Sequence, residues 1–254
     1  MTGLLTVVGL GPGDPRYLTA AAAEALASAT DLVGYGPYVD RIPEQAGQRR
    51  HSSDNRVELD RARFALDLAA KGAHVAVVSG GDPGVFAMAA AVFEAVDNGS
   101  PAWRSLDIRV EPGISAMLAA AARVGAPLGG DFCAMSLSDN LKPWEIVEAR
   151  LRAALAADFV IALYNPISSA RPWQLGAAFK IVAETRGRDT PIILARAVMR
   201  QDERIRILPL SEVEAPMADM STVVIIGAST TKLIERPEGE APYVYTPRFY
   251  GVRP

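Results

Sequence analysis

Leu4-Leu5-Thr6-Val7-Val8 runs directly into Gly9-Leu10-Gly11-Pro12-Gly13-Asp14-Pro15. Leu4 to Val8 reads as a first strand. The glycines and prolines behind it require a tight loop at the strand's C-terminal end. A helix is expected from about Leu18, with Thr19 as its N-cap and an alanine-dense stretch to Ala29 behind it. Strand, glycine loop and helix in that order open a parallel α/β sheet.

The same unit recurs outward from that loop. Asp31 to Gly34 reads as a second strand, and a helix from about Val57 to Lys71 ends at Gly72. His74 to Ser79 is a third, uninterrupted strand that enters Gly80-Gly81-Asp82-Pro83-Gly84, and Val85 to Val96 is expected to be helical. Leu106 to Val110 makes a fourth strand, followed by Glu111-Pro112-Gly113 and a helix to about Val124. The alternation restarts after Gly125 to Gly130, which places a domain boundary between about Leu118 and Gly130. Later strands are expected near Phe132–Leu137, Phe159–Tyr164, Ile192–Ala195, Arg204–Leu208 and Thr222–Ile226, with helices near Trp144–Ala156 and Pro172–Thr185. No long helix separates the strands from Arg204 onward, so the second sheet should be mixed. The expected organisation is an N-terminal α/β domain over 1–120, a C-terminal α/β domain over 121–236, and a Pro/Tyr-rich tail over 237–254 that packs as a strap or at a subunit contact.

The chain has 254 residues and a formal charge of −3, with half of its residues apolar. That length suffices for a buried core, and the small net charge gives no global basic field for nucleic acid. One cysteine, Cys133, excludes an internal disulfide and a multi-cysteine metal cage and fits a reducing cytosol. The apolar run at the N-terminus is too short, and lacks the preceding basic residues, to be a signal peptide or a membrane span. The expectation is a soluble cytoplasmic protein without a metal site.

The Gly9-x-Gly11-x-Gly13 turn invites a dinucleotide reading, but that fingerprint needs two residues between its second and third glycines, and here there is one. Asp14 would also repel phosphate. Ser79-Gly80-Gly81-Asp82-Pro83-Gly84-Val85-Phe86 repeats the Gly-Asp-Pro chemistry at another strand end, and ligands of open α/β sheets lie beyond strand C-termini. Both loops are therefore expected at one ligand, with Asp82 either pairing with a cation or capping the helix that follows. A sulfonium or amino-acid cation suits this set better than a phosphate.

Val8-Gly9-Leu10-Gly11-Pro12-Gly13-Asp14-Pro15 with Leu18-Thr19, then Gly81-Asp82-Pro83, Pro112-Gly113-Ile114-Ser115-Ala116 and Thr222-Val223-Val224-Ile225-Ile226-Gly227, resemble the tetrapyrrole (precorrin) methyltransferases that use S-adenosylmethionine. Within that family Tyr35-Gly36-Pro37-Tyr38, Ser79 to Met88, Leu137 to Trp144 and Leu163-Tyr164-Asn165-Pro166 are similar to the precorrin-3B C(17)-methyltransferase branch of cobalamin biosynthesis. The uroporphyrinogen III branch usually carries Arg-Leu-Lys before its Gly-Gly-Asp-Pro, where this chain has Ala76-Val77-Val78-Ser79.

The resemblance implies two α/β domains with the cofactor in the cleft between them, as a homodimer. It places Pro12, Gly80, Gly81, Asp82, Val85, Ser115, Ala116 and Asn165 at S-adenosylmethionine, with adenine-side backbone contacts around Val198 and Thr222. It implies methylation at C(17) coupled to ring contraction, in which deprotonation of the C(20) hydroxyl assists attack on the methyl group and yields precorrin-4. Methyl transfer needs alignment and exclusion of water more than a nucleophilic side chain. A base or hydrogen-bond partner near the hydroxyl would help; Asp14, Tyr164 and Asp139 are candidates, each with a plain reading as a loop cap or a packed ring.

The carboxylates of a tetrapyrrole call for cationic donors. Arg41, Arg49, Arg50, His51 and Arg56 lie in what reads as a basic loop, and Arg171, Arg196 and Arg200 lie in the second half. Arg49 and Arg50 are favoured for the substrate because no acid neighbours them in sequence, with Tyr35, Tyr38, Ser138 and Asn140 completing the substrate side. The competing functions are methylation of another tetrapyrrole carbon such as C(11), a protein or RNA methyltransferase sharing the Gly-Pro-Gly-Asp loop, and a non-catalytic tetrapyrrole-binding module.

Overall fold

β1 (Leu4–Gly9) has a parallel strand on each side, and Leu5, Val7 and Val8 are sealed from solvent, which accounts for its unbroken apolar run. The computed structural model describes residues 3–54 and 57–249. The chain divides into two units, Met1–Ser115 and Ala116–Pro254. The division thus falls ahead of the helix that the sequence reading had closing the first domain.

The first unit continues with α1 (Ala20–Ser28), β2 (Asp31–Tyr35), α2 (Gly36–Val39), β3 (Arg49–Ser53), α3 (Glu58–Ala70), β4 (His74–Ser79), α4 (Met88–Asn98) and β5 (Asp107–Glu111). Its sheet has the order β3-β2-β4-β1-β5 and is parallel throughout. One face carries Leu5, Val7, Val33, Val75 and Val77 against Ala62, Leu66, Met88 and Val92 of α3 and α4. The other carries Val8, Leu32, Ala76 and Val78 against Ala22 and Leu26 of α1. Thr19 caps α1 as expected, its Oγ1 accepting from the Ala22 amide at 3.1 Å.

Two expectations are corrected here. The basic loop is in part a strand: Arg49–Ser53 forms β3 at the sheet edge, and an edge strand with one neighbour needs no apolar run to announce it. The helix expected from Val85 starts at Met88, because Phe86 sits at φ +53° and Ala87 is extended, which delays the first helical turn.

The second unit contains α5 (Ala116–Val124), β6 (Gly125–Ala126), β7 (Phe132–Ser136), α6 (Trp144–Ala156), β8 (Val160–Tyr164), α7 (Gln174–Ala183), β9 (Pro191–Arg196), β10 (Arg204–Pro209), β11 (Thr222–Ile226), β12 (Lys232–Ile234) and β13 (Tyr243–Tyr245). The sheet order is β10-β9-β11-β8-β7, with only β7 and β8 parallel, so it is mixed. Leu163, Ile161, Leu194, Val224 and Ile226 pack with Leu151, Leu175 and Val182 on one face of it. The tail is bound into this unit: β13 pairs with β12 and β6, and Thr246 Oγ1 donates to the Pro127 carbonyl at 2.6 Å. Among the described residues no helix is long and apolar enough to cross a membrane.

Candidate active site

Three loops meet at the C-terminal ends of β1, β4 and β5. Gly11 and Gly81 exchange backbone hydrogen bonds, Gly11 N to Gly81 O at 3.1 Å and Gly81 N to Gly11 O at 2.9 Å, which ties the first two loops together. Both glycines have positive φ, +64° and +67°. The third loop approaches so closely that a Cβ on Gly113 would lie 2.2 Å from the Gly81 carbonyl oxygen. Pro12 is buried in this junction, Val85 N donates to the Asp82 carbonyl at 3.3 Å, and the Arg41 guanidinium reaches the carbonyls of Leu10, Gly11 and Gly13 at 3.3–3.4 Å. Arg41, expected as a possible substrate cation, therefore shapes the first loop.

Asp82 does not cap α4. Its Oδ1 accepts from Gly84 N at 2.8 Å and its Oδ2 from Gly113 N at 3.1 Å, while the N-cap of α4 is Ala87. A carboxylate with both oxygens on backbone amides fixes two loops relative to each other. Tyr38 packs on Gly80, where a Cβ would meet the ring at 2.8 Å, and Tyr35 meets Tyr38 edge-on at 5.5 Å. Ser115, 3% exposed, follows β5, and its Oγ has no hydrogen-bond partner among the described residues.

In the second unit, Asn165 follows β8 at φ +51°, its Nδ2 donating to Ser136 Oγ at 3.0 Å and its carbonyl accepting from Arg171 at 3.0 Å. Arg171, expected as a possible substrate cation, is buried and holds this corner. Ser138 N donates to the same Ser136 Oγ at 3.2 Å, whereas Asn140 is exposed. Val198 is buried between Ala197 and Met199, both at positive φ. Thr222, also buried, opens β11, where its Oγ1 donates to Asp219 Oδ1 at 2.9 Å. Ala116 is the first residue of α5.

The three candidates for a base each have a hydrogen-bonding role. Asp14 caps the short 3-10 turn Pro15–Tyr17 and pairs with Arg16 at 2.7 Å. Tyr164 accepts at its hydroxyl from Met117 N at 3.0 Å, and Asp139 Oδ2 accepts from Gln174 Nε2 at 3.0 Å. Cys133 packs against the core, and burial raises its thiol pKa, away from reactivity.

The premise behind Arg49 and Arg50 is corrected. Arg50 lies 3.9 Å from the Glu44 carboxylate, and the acid of Arg49 comes from the neighbouring strand: Asp31, fully buried, receives Arg49 at 2.7 and 2.8 Å and His51 at 2.7 Å. Burial opposes ionisation of Asp31, but the hydrogen bonds from Arg49, His51 and Thr30 outweigh it and hold the carboxyl at about 2. Arg50 donates to the carbonyls of Val39 and Ile42. Arg196 is likewise committed, to Asp202 and Asp219 at 2.7 Å each. Arg56 lies outside the described residues.

The sequence pattern of the tetrapyrrole (corrin/porphyrin) methylases matches residues 4–214. The chain belongs to this family. Among tetrapyrrole methylases, a Sinorhizobium precorrin-3B C(17)-methyltransferase is 58% identical over 98% of both chains. The cobalamin biosynthesis protein CobIJ of Mycobacterium bovis is 45% identical over 98% of this chain, which spans about half (49%) of that longer protein. The crystal structure of the methyltransferase CobJ superposes with a TM-score of 0.91 at 51% identity, covering 96% of this chain and all of the other.

The residues fit the family's cofactor. In the first unit the buried Ser115 hydroxyl offers an unused donor and acceptor and Gly11 and Gly81 bring no side chain to the junction; in the second unit the corners at Asn165 and Ala197–Met199 present backbone groups in conformations held by specific bonds.

Proposed function

We propose that this tetrapyrrole methylase transfers the methyl group of S-adenosylmethionine to C(17) of precorrin-3B and couples the transfer to contraction of the macrocycle, giving precorrin-4 in cobalamin biosynthesis. The observation that carries the reading is the 58% identity, end to end, to a precorrin-3B C(17)-methyltransferase. The likeness to the CobJ structure over the whole of that chain supports it.

S-adenosylmethionine, when bound, supplies an electrophilic methyl group for in-line displacement. The chain's part is to bind, orient and exclude water. Gly80, Gly81, Val85 and Ser115 would hold the amino-acid end, with Asp82 fixing the loops that carry them and Pro12 bordering the group. Asn165, Ala116 and the backbone around Val198 and Thr222 would hold the nucleoside. Tyr35, Tyr38, Ser138 and Asn140 are the proposed macrocycle contacts. Arg49 and Arg50 support the sheet edge and are not assigned to the substrate. We infer a homodimer, the arrangement the family resemblance implies, in the cytoplasm, which the single cysteine fits.

Incubation with isotopically labelled S-adenosylmethionine and precorrin-3B tests the activity. Label moves to the tetrapyrrole if the reading holds. Binding of precorrin-3B with no label transfer would instead make the chain a tetrapyrrole-binding module.

A further inference from the structure

The corner after β9 places two non-glycine residues in the left-handed region, Ala197 at φ +48° and Met199 at φ +60°, on either side of Val198. All three are buried, with exposures of 4, 5 and 7%. Such backbone is uphill for L-residues and persists only where its surroundings hold it. Ala197 N donates to Ser221 O at 2.9 Å and Arg200 N to Ala197 O at 3.0 Å. Within the corner, Met199 N donates to Glu203 Oε2 at 2.5 Å.

That same carboxylate oxygen accepts from Arg123 Nε at 3.0 Å. Arg123 lies in the last turn of α5, 80 residues away in sequence. The other end of α5 holds a second left-handed corner, because Met117 N donates to the hydroxyl of Tyr164, the neighbour of Asn165. One nine-residue helix therefore braces these two corners from its two ends. A partly exposed ion pair by itself contributes little to stability; the bond to a buried amide in an uphill conformation is what distinguishes Glu203 from the chain's surface pairs.

We infer that Glu203 is a positioning residue for the cofactor: it holds the Ala197–Met199 corner in its left-handed form so that the backbone around Val198 meets the nucleoside, and Arg123 fixes the carboxylate. The inference rests on the cofactor reading proposed above. Neither side chain need touch the cofactor.

The test is calorimetric titration of the full chain with S-adenosylhomocysteine, alongside steady-state kinetics. Glu203→Ala is expected to weaken binding about tenfold, with KM for S-adenosylmethionine rising in step and kcat falling less. Glu203→Gln keeps an acceptor for Met199 N and should fall between the two. Met199→Gly in the Glu203→Ala background should recover affinity, since glycine takes φ +60° without steric cost. If Glu203→Ala does not fold, Arg123→Ala carries the comparison with an expected loss of about threefold. Unchanged affinity in the variants, or a loss that Met199→Gly does not recover, overturns the inference while wild-type binding leaves the cofactor reading intact. Wild-type protein that takes up no S-adenosylhomocysteine overturns both.

Discussion

The Asp82 carboxylate accepts a hydrogen bond from the Gly113 amide at 3.1 Å, across 31 residues of sequence, while its other oxygen holds Gly84. This bond joins the loops after β4 and β5. An asparagine there can accept from one amide but turns a donor toward the other. Asp82→Asn should cost about 1–3 kcal/mol in stability and weaken S-adenosylhomocysteine binding, measured by thermal melting and calorimetry. Equal melting temperatures and equal affinity would remove the staple from the account.

The close approach of Gly113 to Gly81 gives a steric prediction. A methyl group on Gly113 would lie 2.2 Å from a backbone oxygen, whereas one on Gly36 would meet nothing within 4 Å. Gly113→Ala should destabilise by about 3 kcal/mol or more and Gly36→Ala by under about 0.5 kcal/mol. Urea unfolding of the two variants compares them directly.

Asp31 predicts a pH dependence. Its folded pKa, about 2, lies below the ordinary 3.8, so the folded state favours the carboxylate. The contribution is complete above the unfolded value near 4 and is lost as pH falls from 4 toward 2. Asp31→Asn should therefore lower stability by roughly 2 kcal/mol at pH 7, with a smaller difference from wild type at pH 3. Arg49→Ala should share that acid-side behaviour while leaving KM for the tetrapyrrole unchanged.

The roles of Asp14 and Tyr164 are checked by kinetics. Asp14 caps a turn and pairs with Arg16, and the Tyr164 hydroxyl serves the Met117 amide. Asp14→Asn and Tyr164→Phe should keep the shape of the pH–rate profile, and Tyr164→Phe should lose about 1 kcal/mol of stability. A limb missing from the profile of either variant would make that residue the base.

Much of the fold could be read from the sequence because its central strands are buried on both faces. His74–Ser79 and Thr222–Ile226 are unbroken apolar runs with the bounds expected of them. β3 escaped because Arg49–Ser53 is polar and lies at an edge, and its partner Asp31 is 18 positions from Arg49 in sequence, so the arginines seemed unpaired. At the site, the glycine loops and the strand ends were legible from residue type alone. The reach of Asp82 to Gly113, of Arg41 to the first loop, and of Glu203 to Met199 was not, because each joins a side chain to a backbone group that has no sequence signature.

The measurement closest to the central claim is mass and NMR identification of the product formed from precorrin-3B and methyl-labelled S-adenosylmethionine. One labelled methyl on C(17) of a contracted macrocycle is expected, with the extruded C(20) carried as an acetyl group. A methyl on C(11) or another carbon, or an uncontracted ring, would contradict it.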